Sequence, residues 1–96
     1  MNIEKVLTEG EGTVVDVRTL AEFMGGHVAG SINIPLNELP ARMQEIKALT
    51  APIIFCCASG NRSGQATQFA SLQGVSCING GPWTTVNYYK SLHPQH

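Results

Sequence analysis

The sequence has few charged residues, and the positive and negative ones are almost equal in number. It contains six Lys and Arg and seven Asp and Glu among 96 residues, for a net charge of −1. Without a basic excess, the chain is not expected to bind nucleic acid or anionic membranes through bulk charge. Hydrophobic residues make up 43% of the chain, far more than a disordered segment carries. We therefore expect a folded protein with no nucleic-acid and no membrane partner.

Long apolar runs are also absent. None approaches the roughly 20 residues that span a bilayer, and the amino terminus carries Glu4 where a secretory signal would have an apolar core. The length allows one domain, residues 1–96, with no room for a separate cofactor domain. We expect a cytoplasmic protein, or a periplasmic one if a signal peptide has been removed.

Cysteine and histidine are few and are not spaced as metal ligands. The three cysteines contain no Cys-x-x-Cys pair, and the three histidines do not complete a zinc site. An odd number of cysteines argues against a disulfide scaffold and favours a reducing compartment or a reactive thiol. The cysteines and histidines concerned are Cys56, Cys57, Cys77, His27, His93 and His96. We expect no bound metal ion.

The apolar patterning alternates short strands with helices, which indicates an α/β fold with a largely parallel sheet. The run at residues 53–57 is continuously apolar, as in a central strand that is buried on both faces. Strands are predicted at residues 14–17, 31–35, 53–57 and 75–79, and helices at 19–25, 37–49, 63–73 and 84–92.

Local signals support several of these boundaries. Thr19 and Glu22 form a capping-box pattern at the start of a short helix. Asn37 is expected to cap the helix at residues 37–49. Gly74 is expected to end the helix at residues 63–73. The segment Gly80-Gly81-Pro82 predicts a sharp break after the fourth strand.

The most informative segment follows the buried strand: Cys57-Ala58-Ser59-Gly60-Asn61-Arg62-Ser63. A thiol ends the strand, and an arginine five residues later begins a helix. Small side chains between them let backbone N–H groups converge on one anion, and the helix dipole adds to them. The pKa of Cys57 is therefore expected to fall below its reference of ~8.5. We predict Cys57 as a nucleophile. The predicted substrate-binding loop is Ala58, Ser59, Gly60, Asn61, Arg62 and Ser63.

Five ordered segments carry a resemblance to a known family. They are Cys57-x4-Arg62, Val15-Asp16-Val17-Arg18, Glu22-Phe23, the stretch from Gly26 to Pro35, and Gly80-Gly81 before Trp83. Together they resemble a single-domain rhodanese, a thiosulfate sulfurtransferase-like enzyme. The resemblance implies a rhodanese-like α/β fold with a central, mostly parallel five-stranded sheet and helices on both faces.

The resemblance also implies a reaction. The Cys57 thiolate takes the outer sulfur of thiosulfate or of a persulfide donor, and a thiol or cyanide then accepts it from the Cys57 persulfide. No cofactor is expected. A protein sulfur acceptor is a possible partner, and the domain is expected to work as a monomer.

The other prominent residues are expected to be structural. Cys56 and Cys77 are assigned to the core, Asp16 and Arg18 to an ion pair or cap, His27 to a structural role rather than a base, and Trp83 to a lid on the core. Arg62 has two open roles: it attracts an anionic donor, or it braces the loop.

Two alternative functions remain. One is a sulfur-carrier or redox-sensing module that acts on a partner without turnover, favoured because Arg62 is the loop's only charge. The same feature makes recruitment of thiosulfate weak. The other is a small-anion hydrolase. Two features argue against the hydrolase: cysteine-dependent phosphatases carry a Cys-x5-Arg loop, one residue longer than this one, and the chain has no evident general-acid aspartate, since Asp16 is its only aspartate.

Overall fold

Strands and helices alternate along the computed structural model, which describes residues 2–93. The strands are β1 (Thr13–Asp16), β2 (Ile32–Asn33), β3 (Ile53–Cys57) and β4 (Cys77–Pro82). The α-helices are α1 (Ile3–Thr8), α2 (Leu20–Met24), α3 (Met43–Lys47), α4 (Asn61–Leu72) and α5 (Trp83–Ser91), and a 3-10 helix (Leu36–Arg42) precedes α3. In this described part of the chain, no helix has the length and apolar character needed to cross a membrane.

The strands form one parallel sheet in the order β2-β1-β3-β4. Val15 on β1 lies opposite Ile32 on one side and Phe55 on the other. The predicted α/β fold with a parallel sheet and helices on both faces is confirmed. The sheet has four strands within residues 2–93, where five were expected.

All five residues of β3 are buried, as expected of a central strand. Alternate side chains point to opposite faces. Phe55 and Cys57 pack with residues of α3 and α4, whereas Ile54 and Cys56 pack with residues of α1 and α5. The two adjacent cysteines are therefore separated by the sheet.

The segment before β3 differs from the predicted helix at residues 37–49. It is split into the 3-10 helix and α3, and Asn37 lies inside the first turn instead of capping it. The physical reason is Pro40, which has no N–H to donate and whose ring would clash with the carbonyl of Leu36 in an α-helix. The tighter 3-10 winding accommodates it.

The fourth strand also departs from the prediction, because β4 continues through Gly80-Gly81-Pro82 instead of ending before it. Asn79 lies opposite Phe55, but the next pair is Cys56 with Gly81, so Gly80 is an extra residue in the ladder. A Cβ at Gly80 would come within 2.8 Å of the Ile54 and Val86 side chains. Glycine thus permits a bulge where the pattern indicated a break.

The remaining boundaries follow the local signals. The capping box at Thr19 and Glu22 is present, α4 ends before Gly74 at φ +82°, and α5 lies where expected. One helix was not predicted, α1, which is capped by the side chain of Asn2. Its Val6 and Leu7 are buried in the same cluster as Val86 of α5.

Candidate active site

Cys57 is the last residue of β3, at the carboxyl edge of the sheet, and the chain turns directly from it into α4. The turn depends on Gly60, whose φ of +101° lies in the left-handed region that disfavours other residues. Cys57 is fully buried beneath this turn. The sequence therefore places a thiol at the amino-terminal end of a twelve-residue helix.

Several hydrogen-bond donors converge on the Cys57 sulfur. The backbone N–H groups of Gly60 and Ser63 lie 3.0 and 3.3 Å from Sγ, and the Ser63 hydroxyl lies 3.3 Å away. Burial raises the pKa of Cys57, but the Ser63 hydroxyl and the amides of Ser63, Gly60 and Ser59 outweigh it. The net pKa lies below the ordinary value, so the thiolate is favoured.

The neighbouring thiol of Cys56 has the opposite character. Burial, followed by the negative charge of Asp16, raises the pKa of Cys56 to about 12. Burial also raises the pKa of Cys77. Of the three cysteines, Cys57 alone combines a lowered pKa with donors around its sulfur. Cys56 is buried in the core as predicted, whereas Cys77 is half-buried and packs against the edge of the core.

Asn79 connects the bulge of β4 to the loop. Its Oδ1 accepts a hydrogen bond from the Gly81 N–H at 2.9 Å and lies 2.7 Å from Ser63 Oγ, so it competes with Cys57 Sγ for the single hydroxyl proton of Ser63. Its Nδ2 donates to the carbonyl of Gly60 at 3.1 Å. Sequence reasoning missed this residue. The available signal was a polar side chain immediately before the Gly80-Gly81 pair, on a strand parallel to β3.

Arg62 extends from the first turn of α4 to Glu22 on α2. Its two terminal nitrogens donate to the two oxygens of Glu22 at 2.7 and 2.9 Å. Hydrogen bonds from Arg62 and then from the Thr19 backbone lower the pKa of Glu22 to about 2. The guanidinium therefore braces the loop against α2, and its assignment to substrate binding stays a prediction. The second role of Glu22 was not foreseen.

Asp16 and Arg18 form a buried ion pair below this brace. Arg18 Nη2 lies 2.7 Å from Asp16 Oδ2, and the guanidinium also donates to the carbonyls of Glu22 and Gly26. The Arg18 guanidinium carbon lies 4.7 Å from the centre of the Trp83 ring. These contacts hold α2 and the turn after it in place, in agreement with the structural roles expected for both residues.

His27 contacts α2, and none of its described contacts involves Cys57. Its Nδ1 lies 2.8 Å from the Phe23 carbonyl, and its ring stacks on Phe23 with centroids 3.8 Å apart. His93 contacts the carbonyl of Thr8, and His96 lies outside the described residues. Within residues 2–93, no three His, Cys, Asp or Glu side chains form a group that could hold a metal ion.

A cavity among the described residues lies away from this site. It has a volume of about 470 Å³ and lies near the amino end of β3, where Ile53, Val75 and Lys47 line it. Cys57 occupies the other end of the strand. The chemical environment of the sulfur, and not the size of a cavity, therefore identifies the candidate site.

The comparisons with known proteins agree with this geometry. A family model described as a rhodanese-like domain matches residues 3–82. The Bacillus subtilis protein YqhL is 41% identical over 79% of this chain and 65% of its own length, so the chain spans just under two thirds of it. The human thiosulfate:glutathione sulfurtransferase is 32% identical over 77% of this chain and 76% of its own length.

A solved structure gives the same result at the level of the fold. A rhodanese-related protein from Thermoplasma volcanium superposes with a TM-score of 0.70 at 32% identity, covering 85% of this chain and 80% of its own. The segments that carried the resemblance lie inside the matched region, except for Trp83, which is one residue beyond it. The chain belongs to the rhodanese-like domain family, whose members include sulfurtransferases.

Proposed function

We propose that this protein is a sulfurtransferase that moves a sulfane sulfur from thiosulfate or a persulfide donor to a thiophilic acceptor through a persulfide on Cys57. The observation that supports it most directly is the set of donors around Cys57 Sγ, which lowers the pKa of a thiol at a helix start. A nucleophilic thiolate is what such a transfer requires.

The reaction consists of two displacements. In the first, the Cys57 thiolate attacks the outer sulfur of the donor, a new S–S bond forms, and the old one breaks. The leaving group, sulfite or a thiolate, takes the electron pair of the broken bond. In the second, an acceptor thiolate or cyanide attacks the outer sulfur of the persulfide, and Cys57 leaves as a thiolate. No external oxidant or reductant is needed.

The loop supplies the electrostatic part of this proposal. The amides of Ser59, Gly60 and Ser63 already act on the sulfur of Cys57, and the loop residues from Ala58 to Ser63 would hold negative charge on a second sulfur in the same way. Because the reacting group is the protein's own side chain, the proposed mechanism uses no cofactor.

The test is persulfidation of Cys57 in the wild-type protein and in two serine variants. After incubation with thiosulfate or a small persulfide, mass spectrometry should find an adduct of about 32 Da, one sulfur atom, on Cys57. Cys57→Ser should carry none and remain folded. Cys56→Ser should still be labelled, although a buried hydroxyl should cost it about 1–2 kcal/mol. Labelling that survives in Cys57→Ser but is lost in Cys56→Ser would contradict the assignment.

The same protein sample distinguishes a sulfurtransferase that turns over from a sulfur carrier that is loaded once. A sulfurtransferase should form thiocyanate from cyanide repeatedly, at a steady-state rate comparable to its single-turnover rate. A sulfur-carrier or redox-sensing module would be labelled once and release its sulfur only to a partner. Persulfidation of Cys57 without repeated transfer to small acceptors would favour the carrier or sensor function over the enzyme. Cys57-dependent hydrolysis of an aryl phosphate would instead support a small-anion hydrolase.

A further inference from the structure

The charged side chains next to the Cys57 loop cancel in pairs. Arg18 pairs with Asp16 at 2.7 Å, and Arg62 pairs with Glu22 at the same distance. Ala58, Ser59, Gly60, Asn61 and Ser63 carry no charge. The two ion pairs therefore contribute no net charge, and the Cys57 thiolate is the remaining charge of the site.

The positive charge of Arg62 is already paired in this arrangement. Each terminal nitrogen of its guanidinium donates one hydrogen bond to a Glu22 oxygen. Glu22 is itself held by the backbone N–H and hydroxyl of Thr19, each 3.1 Å from its Oε1. The carboxylate is thus fixed from both sides, as part of the α2 capping box and as the partner of Arg62.

The charge of the donor then matters. Thiosulfate brings two negative charges to a site that already holds the Cys57 thiolate, and repulsion between like charges is strong where water is excluded. Backbone amides offer only partial positive charges. A persulfide of a neutral carrier brings one negative charge or none, and so meets less repulsion.

We infer that Glu22 is a specificity-determining residue: by binding both arms of Arg62 it makes the site select a sulfane-sulfur donor of low charge, a persulfide, over a dianion. The inference rests on the proposed function and narrows its donor. Because the pKa of Glu22 is lowered to about 2, the carboxylate stays charged and paired at neutral pH.

The test measures the rate of Cys57 persulfidation in single turnover by thiosulfate and by 2-hydroxyethyl persulfide. Glu22→Gln keeps an oxygen for Thr19 and removes the charge that cancels Arg62. It should raise the rate with thiosulfate by on the order of tenfold, and should change the rate with the persulfide by less than about threefold. The double variant Glu22→Gln with Arg62→Gln should lose the gain.

A matched control exists on the surface. Glu45 also binds an arginine through both oxygens, Arg42 at 2.8 and 2.9 Å. Glu45→Gln makes the same change in net charge and should leave the rates with both donors unaltered. A tenfold gain in this variant would attribute the effect to overall charge and overturn the inference.

Salt dependence of the wild type gives a second measurement that does not require a variant to fold. With thiosulfate, the wild-type rate should stay level or rise as salt increases from roughly 0.02 to 0.5 M, because salt screens repulsion. A steep fall would show an attractive site and overturn the inference, as would an unchanged donor ratio in folded Glu22→Gln. Absence of sulfur on Cys57 with both donors would instead refute the proposed function.

Discussion

Cys56 and Cys57 are consecutive residues whose thiols differ in pKa in opposite directions. The difference comes from the faces of the sheet: one sulfur lies among apolar side chains, and the other meets the amides of a helix start. The alternation of side chains along β3 and the spacing from Cys57 to Arg62 were enough to predict a lowered pKa for Cys57 and a place in the core for Cys56. The contribution of the Ser63 hydroxyl was not predictable in detail, since it depends on a rotamer.

Ser63 allows a test at this scale. The Ser63 hydroxyl lies 3.3 Å from Cys57 Sγ and lowers the pKa of that thiol. Replacing Ser63 with alanine removes this hydroxyl. In Ser63→Ala, the pKa of Cys57 should rise, so alkylation at pH 7 should slow. The pH profile of Cys57 alkylation measures the change.

Ser59→Ala is the control, because the backbone amide of Ser59 supports the thiolate and the substitution leaves that amide in place. Its profile should match the wild type. Identical profiles for Ser63→Ala and the wild type would show that the amides alone set the pKa.

The elements show where sequence patterns stop being informative. The apolar run of β3 and the capping box of α2 are local signals, and both were predicted. Pro40 lies in the first turn of the helix predicted at residues 37–49, a position that tolerates proline, but the segment forms a 3-10 helix over residues 36–42. Gly80-Gly81 has the composition of a turn, and its use as a bulge depends on contacts with β3 and α5 that no local pattern contains.

The bulge gives a prediction about stability. In Gly80→Ala the new Cβ would lie 2.8 Å from Ile54 and Val86 and 3.0 Å from the Phe55 carbonyl. Such overpacking typically costs about 1–3 kcal/mol. The free energy of unfolding, measured by urea denaturation, should fall by this amount.

Gly25→Ala is the matched control for this substitution. Gly25 has a helical φ of −79°, and a Cβ there would make only ordinary contacts, the nearest at 3.4 Å. Its free energy of unfolding should differ little from the wild type. An equal loss in both variants would contradict the packing argument and point to a general cost of alanine for glycine.

Across the whole molecule, the Glu22–Arg62 pair joins segments that are 40 residues apart in sequence. Each residue had a local interpretation, a helix cap and a loop arginine, and neither interpretation named the other as a partner. The fold class, and the position of Cys57 at the end of the central strand with a lowered pKa, were therefore predictable from local pattern and resemblance. The network that positions the loop, including Asn79, arises only from the packing of α2, β3, α4 and β4.

This long-range pair predicts how stability depends on pH. The pKa of Glu22 is about 2 in the folded protein, below its ordinary 4.5. The pair therefore stabilises the fold above pH 4.5, and this contribution is lost as the pH falls toward 2. Because both side chains are about one-third exposed, it should be worth less than about 1 kcal/mol.

The measurement compares the wild type with Glu22→Gln in urea denaturation at several pH values. The wild type should be the more stable at pH 7, and the difference should shrink steadily below pH 4.5 and vanish near pH 2. A difference that stays constant across this range would attribute the loss to the capping box instead of the charge.

The burial of Cys57 beneath its turn separates nucleophilicity from accessibility. With 0% of the residue exposed, a reagent can meet the sulfur only if the turn around Gly60 opens. We therefore expect the observed rate of modification to be the product of an opening equilibrium and the intrinsic reactivity of the thiolate. Oxidants and alkylating agents should then react more slowly with Cys57 than its lowered pKa alone would predict.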